Sequence, residues 1–170
     1  MSNLITCRQT LSISNHRVFV NDLNEHETVY GGRLLELLDG SASISASRLA
    51  RVETVTASID QLNFIEPFKM QDSLCIESYV AGVGTRSIEI FTKIIGEHLK
   101  TGERFLGLTA FLTFFTMEKG PALPNIQPES PEERFICAGY EERKAHRLAN
   151  FQSQKHFNQN ISTDYPWNGQ

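Results

Sequence analysis

The stretch DLNEHETVYGGRLLELLDG, from Asp22 to Gly40, contains the element around which we expect the chain to fold. It begins as a polar loop, passes through two glycines and then becomes strongly apolar. Apolar residues at helical spacing continue past its end, and this pattern predicts one long helix from about Gly31 to about Leu49. Within that helix, Asp39 directly follows two leucines. A carboxylate among apolar side chains costs free energy unless it is paired or has a chemical role.

Two interpretations of Asp39 are open from the spacing alone. It shares a helical stripe with Leu35, Ala42 and Ala46, so its side chain projects from a largely apolar face. It is either a boundary residue that reaches water or pairs with an arginine such as Arg86, or a functional carboxylate. Partial desolvation raises the pKa of a carboxyl group toward neutrality, which suits a general base.

The composition indicates an ordinary globular protein and excludes some function classes. With 170 residues, 40% of them hydrophobic and 21% charged, the chain can bury one core. A net charge of −4 without a basic run predicts no binding to nucleic acid or anionic membranes, but leaves room for a small anionic ligand. The most apolar window, residues 105–115, is too short to cross a bilayer. The N-terminus lacks a secretory pattern and the three cysteines are widely separated, so we expect a cytoplasmic protein.

Five β-rich segments accompany the predicted helix. One precedes it, at residues 16–20, and four follow it, at residues 52–64, 73–83, 86–99 and 104–118. In the segment 52–64, strict alternation places Val55, Ala57 and Ile59 on one face. The order of strand, long helix and four antiparallel strands predicts an α+β fold. One helix cannot cover both faces of such a sheet, so we expect the chain to pair with a second copy.

The sequence divides into three parts. Residues 1–15 form an N-terminal segment, and residues 16–124 form one domain. Residues 125–170 form a C-terminal part, in which the end of a proline-rich connector, residues 120–133, leads into a charged helix from about Pro131 to about Asn150. This helix is typical of a solvated surface or a subunit contact. We expect the polar tail after Phe151 to be poorly ordered.

The start of the long helix and the loop before it offer groups suited to catalysis. Gly31 and Gly32 stand where the free N–H groups of a helix start can stabilise an oxyanion, although a tight turn is the alternative. Asn24 can orient a water molecule or donate to a carbonyl, or it can be an ordinary turn residue. His26 can act as a base, but a solvated loop histidine is the simpler interpretation.

The segment GVGTRS, residues 82–87, offers groups suited to phosphate. Thr85 and Ser87 supply hydroxyls and Arg86 a guanidinium, while Gly84 allows close backbone approach. The alternative is a β-hairpin with a surface arginine. The sequence has no Gly-x-Ser-x-Gly elbow, no convincing Cys/His pair and no zinc-type histidine cluster. We therefore expect neither a metal nor a cofactor.

Several motifs, in order along the chain, resemble those of the hotdog-fold acyl-CoA thioesterases. DLNEHETVYGGRLLELLDG is similar to the family's Asp-x-Asn loop, which leads through Val-Tyr/Phe-Gly-Gly into a helix bearing an Asp. VTASIDQLNFIEPFKMQD resembles the strand and loop that follow, GVGTRSIEIF a later Gly-(Arg/Thr)-Ser strand, and TAFLTFFTME the last strand. The match runs from about His16 to about Pro124, and the tail with EERKAHRL resembles the Gram-positive-type members.

The resemblance implies a fold, an assembly and an activity. The fold is a hotdog, one long central helix wrapped by a five-stranded antiparallel sheet, here with a C-terminal helix. Such chains form dimers with a continuous ten-stranded sheet, and hexamers built as trimers of dimers are common in this subgroup. The implied activity is hydrolysis of an acyl-CoA thioester to free CoA and a carboxylic acid, with CoA as part of the substrate rather than a cofactor.

The resemblance also assigns roles to matching residues. Asp39 corresponds to the catalytic carboxylate of the helix, as general base or nucleophile, and Asn24 to the loop asparagine that positions water or the thioester. Gly32 would supply an oxyanion N–H, and in the family the asparagine and the aspartate can meet across a subunit interface. The residues that would bind the substrate and its CoA portion are Gly31, Phe64, Gly84, Thr85, Arg86 and Ser87.

Two departures and two alternatives accompany this assignment. Glu27 stands where the family usually has glycine, and Gly40 follows Asp39 where glutamate is frequent. One alternative is a non-catalytic acyl-CoA-binding or regulatory protein on the same fold. The other is a hydratase or dehydratase, which would need a histidine in its own motif. The histidines of this chain do not fit that motif; they are His16, His26, His98, His146 and His156.

Overall fold

The computed structural model describes residues 4–118, 120 and 122–165, and the chain divides into two compact units, Met1–Cys137 and Ala138–Gln170. The first unit contains the long helix and all seven strands of the described residues. In chain order the elements are β1 (Leu4–Thr6), α1 (Cys7–Thr10), β2 (Ser12–Arg17), α2 (Gly31–Ala50), β3 (Thr54–Phe64), β4 (Asp72–Val83), β5 (Ser87–His98), β6 (Glu103–Thr116), β7 (Asn125–Gln127), α3 (Pro131–Ala138) and α4 (Tyr140–Gln159).

Five of the strands form one antiparallel sheet in the order β2-β4-β5-β6-β3, and α2 packs on one face of it. The predicted α+β architecture of a long helix on a five-stranded antiparallel sheet is confirmed. The strands β2 and β3 are the two edges of the sheet. The core lies between α2 and the sheet; its wholly buried side chains include Leu38, Ala42, Ala46, Leu74, Ile76, Val80, Ile88, Ile90, Ile94, Leu108, Ala110 and Leu112.

Small residues let α2 lie close against the sheet. Ser45 is fully buried and donates its hydroxyl to the Ser78 carbonyl at 2.8 Å. Ser41 and Thr92 extend this contact, because the Ser78 hydroxyl lies 3.0 Å from Ser41 and 2.9 Å from Thr92. The alternating SASISAS segment is therefore helical, as predicted, and its buried hydroxyls are satisfied across the helix–sheet interface.

The other face of the sheet has a smaller cluster of its own. Tyr79, Phe91 and Phe111 form a row of tilted aromatic contacts, with ring centroids 5.2–5.5 Å apart. Ile136 of α3 and Cys7 of α1 pack on this row. The Cys7 sulfur lies 3.7 Å from that of Cys137, a proximity that cysteines 130 residues apart did not indicate.

The strand β3 departs from the predicted alternation. In its ladder with β6, Val55 opposes the exposed Phe115, whereas Thr56 and Ile59 oppose core residues. Opposed residues share a face, and the register shifts between Thr56 and Ser58, so a bulge at Ala57 turns Ile59 toward the helix while Val55 faces outward. The prediction that these two side chains share a face was wrong, because one extra residue inverts the period-2 pattern.

The strand before the long helix lies earlier in the chain than predicted, and residues 125–127, which were assigned to the connector, form a strand. The strand β2 runs Ser12–Arg17, followed by a 3-10 turn at Val20–Asp22, and β1 pairs in parallel with β7. The segment SISNHR has no apolar run, so only its pairing with β4 identifies it as a strand.

In the second unit, α4 is a charged helix. It begins at Tyr140, carries Glu141 and Glu142 in its first turn and His156 in its last, and ends at Gln159. The two glutamates suit the positive end of the helix dipole. The single charged helix predicted from about Pro131 to about Asn150 is instead interrupted at Gly139, between α3 and α4. The helix α4 extends about two turns beyond the predicted end, into the tail expected to be poorly ordered; residues 166–170 of that tail lie outside the described residues. In the described part of the chain, no helix is both long and apolar enough to span a membrane.

Candidate active site

The start of α2 presents two N–H groups that point away from the helix. The amides of Arg33 and Leu34 both donate to the Tyr30 carbonyl, at 2.9 and 3.2 Å. Within the described residues, the amides of Gly31 and Gly32 have no such acceptor. A Cβ at position 32 would overlap the Tyr30 ring, so a larger residue there would have to displace that ring. Two donors at the positive end of a 20-residue helix form a suitable cradle for a developing oxyanion.

Asn24 lies at the turn of the loop that precedes the helix. Its side-chain oxygen accepts hydrogen bonds from the amides of His26 (2.9 Å) and Thr28 (3.2 Å) and from the Thr28 hydroxyl (3.2 Å). The oxygen is therefore used to shape the loop, which leaves the side-chain NH₂ as the group able to donate to a ligand. His26 itself is exposed and lies 3.4 Å from Glu25, so it is a solvated loop histidine.

Asp39 lies at the boundary between the core and solvent, in the middle of α2. Its Oδ1 atom accepts a 2.8 Å hydrogen bond from the Thr56 hydroxyl of β3. The bulge after Thr56 brings this hydroxyl to the helix face of the sheet. Arg86, the suggested ion-pair partner, donates instead to the carbonyls of Thr116 and Met117, so the ion pair suggested for Asp39 does not form.

Within one chain, Asp39 and the helix start are separated along the helix axis. Asp39 follows Gly32 by seven residues, and a rise of about 1.5 Å per residue puts them roughly 10 Å apart along α2. A thioester carbonyl whose oxygen binds at Gly32 therefore lies too far from the Asp39 of the same chain for direct proton transfer or attack.

Phe64 lies beside the helix start, at the end of β3. Its ring is 3.7 Å from where a Gly31 Cβ would stand, and the side chain is 58% exposed. Both residues line a cleft of about 380 Å³, together with Thr28, Val29, Leu34 and residues 65–68. The cleft is bounded by Phe68, which is buried. An apolar cleft of this kind beside an oxyanion cradle suits an acyl group.

The GVGTRS segment lines a different and larger cleft. Gly84, Thr85 and Arg86 border a cleft of about 620 Å³ near the end of α2, with Ala50, Val52 and Leu123 among the other lining residues. Ser87 begins β5, and its carbonyl accepts from the Gly84 amide at 2.8 Å, closing the hairpin. The structure thus brings Gly31 and Phe64 together, and separately Gly84, Thr85 and Arg86, while Asn24 and Asp39 stand in two further places.

Thr56 was not among the site residues expected from the sequence. The only sequence signal was its position in the β-rich segment 52–64, where strict alternation placed its side chain on the other face of the strand from Val55. That signal gave no reason to connect it with Asp39. Over the residues that the structure describes, no group of three or more His, Cys, Asp or Glu side chains is arranged to hold a metal ion.

A family model described as the thioesterase superfamily matches residues 26–102. An acyl-CoA thioester hydrolase of Bacillus subtilis, itself called uncharacterized, is 42% identical over 164 residues, which cover 95% of each chain. The chain belongs to the acyl-CoA thioester hydrolases of the thioesterase superfamily. The family predicted from the motifs is thereby confirmed.

Solved structures of other acyl-CoA thioester hydrolases share the fold. One from Staphylococcus aureus is 27% identical, with a TM-score of 0.88 over 93% of this chain and 99% of its own. That protein was solved with butyryl-CoA, CoA and CoA disulfide, and as variants in which an aspartate, an asparagine or a threonine is replaced by alanine. A hexameric acyl-CoA thioesterase without ligand is 28% identical, with a TM-score of 0.83 over 87% of this chain and 97% of its own.

Proposed function

We propose that this chain hydrolyses acyl-CoA thioesters to CoA and a carboxylic acid, at sites that two subunits form together. The observation that carries the proposal is the hydrogen bond from Thr56 to Asp39, which holds a partly exposed carboxylate on the central helix of a thioesterase-family chain. Such a carboxylate is oriented for chemistry and open to a substrate.

The spacing of three residues supports this assignment. The residues replaced in the Staphylococcus aureus variants, an asparagine, an aspartate and a threonine, follow one another at intervals of 15 and 17 positions. Asn24, Asp39 and Thr56 have the same order and the same intervals. Since two of the three meet through a hydrogen bond in this structure, we take the set as one functional unit.

Catalysis then follows two possible routes with the same residues. As a general base, Asp39 takes a proton from water while the water oxygen bonds to the thioester carbon; the C–S bond then breaks, and the CoA thiolate takes up a proton. As a nucleophile, Asp39 displaces the thiolate first and water cleaves the resulting anhydride. In both routes the carbonyl oxygen becomes negatively charged, and the Gly31 and Gly32 amides stabilise that charge. Asn24 orients the attacking water or the thioester through its NH₂ group.

The distance between Asp39 and Gly32 along α2 explains why we assign each site to two chains. In an isologous dimer, both subunits use the same surface. If residue i of one chain contacts residue j of its partner, residue j of the first chain also contacts residue i of the partner. Two antiparallel α2 helices bring the start of one beside the middle of the other, so Gly32 and Asn24 of one chain meet Asp39 of its partner. The exposed edge strand β3 provides the surface for this pairing, and we propose a hexamer built from three such dimers, as the hexameric relative suggests.

The larger cleft suits the CoA portion of the substrate. Arg86 donates through Nη2 to the carbonyls of Thr116 and Met117, at 2.6 and 3.1 Å, which holds the guanidinium at the border of this cleft. We propose that Arg86 and Thr85 contact the pantetheine or the phosphates of CoA, with Gly84 and Ser87 shaping the hairpin. Because the three cysteines are widely separated in the sequence, we propose that the protein works in the cytoplasm.

The test is thiol release from a panel of short-chain to long-chain acyl-CoAs by the wild type and by Asp39→Asn. We expect clear turnover by the wild type and a loss of about 10² to 10⁴ in kcat in the variant, the typical contribution of a general base. Glu103→Gln is the control, because Glu103 is an exposed carboxylate at the start of β6, outside the proposed site. It should retain wild-type turnover.

The assembly state is measured in the same samples. Full turnover by Asp39→Asn, with the oligomer intact, would overturn the assignment of the carboxylate. The absence of wild-type turnover on any chain length, together with thermal stabilisation by CoA, would instead indicate the non-catalytic acyl-CoA-binding protein.

A further inference from the structure

A second carboxylate, Asp22, lies buried beneath the loop that carries Asn24. Its side chain is only 8% exposed, and it accepts from the Phe19 amide at 2.8 Å. It also binds His16 Nε2 at 2.8 Å and Arg33 Nε at 3.2 Å. Burial acts to raise the pKa of this carboxyl group, but the bonds from the Phe19 amide and from His16 outweigh it and hold the pKa below its usual range. Asp22 is therefore a charged, fully engaged group that joins β2, the 3-10 turn and the first turn of α2.

The backbone of Asp22 closes the loop as well. Its carbonyl accepts a hydrogen bond from the Tyr30 amide at 2.8 Å. Nearer the tip of the loop, the Asn24 amide donates to the Thr28 carbonyl, also at 2.8 Å. Glu27, at the tip, has a positive φ of 59°, as a tight turn requires. Residues 22–30 thus form a compact loop whose two ends meet at Asp22, and whose last residue caps α2.

This arrangement connects two groups of the proposed site. Asn24 stands two residues after Asp22, and Gly32 stands directly before Arg33. Because the Asp22 carboxylate holds Arg33 while its carbonyl holds Tyr30, it sets the position of the Asn24 loop relative to the start of the helix. Both groups act on the same thioester in the proposed mechanism, so a small rotation of the loop would separate them.

We infer that Asp22 is a positioning residue for hydrolysis, which acts through Asn24 by fixing the loop against the oxyanion cradle of the same chain. This inference rests on the proposed function. Its effect falls on the reaction step, because Asp22 is buried and its carboxylate oxygens are bonded within the chain. A displacement of about 1 Å in a positioning group can reduce a rate by about 10²-fold.

The first test is the kinetics of Asp22→Asn, which is close to isosteric and keeps an oxygen for the Phe19 amide. We expect kcat to fall about tenfold to a hundredfold, with KM for acyl-CoA within about twofold of the wild type. An unchanged kcat in a folded variant would overturn the inference.

The second test distinguishes positioning from general loss of structure. In the Asn24→Ala background, the residue through which Asp22 acts is already missing, so adding Asp22→Asn should lower kcat by no more than about twofold. If the two losses instead multiply, Asp22 does not act through Asn24 and the inference is wrong.

Asp72→Asn is the matched control. Asp72 is also buried, accepts from the amide three residues earlier and binds a histidine, His98, at 2.8 Å. It should lower the melting temperature without the selective loss of kcat and without coupling to Asn24→Ala. An equal loss and equal coupling would show that any buried Asp–His pair in this fold has the same effect, which would overturn a specific role for Asp22.

Arg33→Gln serves if Asp22→Asn does not fold. This change removes the contact between the Asp22 carboxylate and α2, and the Arg33 side chain that it alters is 31% exposed. We expect the same loss of kcat and the same coupling to Asn24→Ala. Wild-type turnover is measured first. If the wild type releases no thiol, the proposed function fails; if it does and the variants show no coupling, only the inference about Asp22 fails.

Discussion

Thr56 shows how a single hydroxyl gives a helix carboxylate a defined orientation. It approaches Asp39 from the neighbouring edge strand, at a distance of 2.8 Å. A hydrogen bond to a charged group contributes about 1.5–3 kcal/mol to the stability of the arrangement that contains it. At this scale the sequence singled out the carboxylate as a candidate but gave no sign of its partner, because the two residues are 17 positions apart and meet only through helix–sheet packing.

Thr56→Val should therefore lower kcat for acyl-CoA hydrolysis by about tenfold to a hundredfold, since it removes the hydroxyl and keeps the branched shape. Folding should change little, because Thr56 is exposed and valine favours strands. Thr54→Val, two residues earlier on β3, is the matched control. Equal kcat for both variants in a thiol-release assay would contradict the role of Thr56.

At the scale of the element, two glycines in regular structure have opposite surroundings. Gly107 lies in β6 where a Cβ would overlap the ring of Phe68, which is buried and stacks on Phe105 with centroids 5.5 Å apart. Gly40 lies within α2, and a methyl group added there would have no neighbouring atom within 4 Å. One glycine makes room for Phe68, which lines the cleft at the start of α2, and the other only weakens a helix.

Gly107→Ala should destabilise the protein by about 1–3 kcal/mol through overpacking, whereas Gly40→Ala should stabilise it by about 0.5–1 kcal/mol through helix propensity. Thermal unfolding of the two variants beside the wild type measures both changes. A loss of stability in Gly40→Ala would mean that a neighbouring subunit fills the open space at this position.

At the scale of the whole molecule, the sheet has two edges that differ in length and chemistry. The edge strand β3 has 11 residues and exposes Val55 on the face opposite to Thr56. The edge strand β2 has six residues and exposes Ile13 on the same outer face. A long edge with exposed apolar side chains is a template for pairing with another chain.

Val55→Lys should therefore separate the proposed dimer into monomers and abolish the proposed hydrolysis, because each proposed site needs two chains. Val55 does not lie on the face that carries Asp39, so the loss of activity follows from the loss of assembly. Ile13→Lys, at the opposite edge, should retain both. Light scattering coupled to size exclusion, with thiol release on the same fractions, measures this; an active Val55→Lys monomer would refute the shared site.

The sequence by itself determined the α+β class, the long helix from Gly31 and the family, because these depend on local periodicity and on motifs that are contiguous in the chain. Only the tertiary structure decided which residues meet. A bulge of one residue at Ala57 determined which side chains of β3 face the helix. Ser41 and Ser45 let α2 pack closely on the sheet, and Thr56 contacts Asp39 across the same interface. Such contacts depend on register between distant segments, which no local pattern encodes.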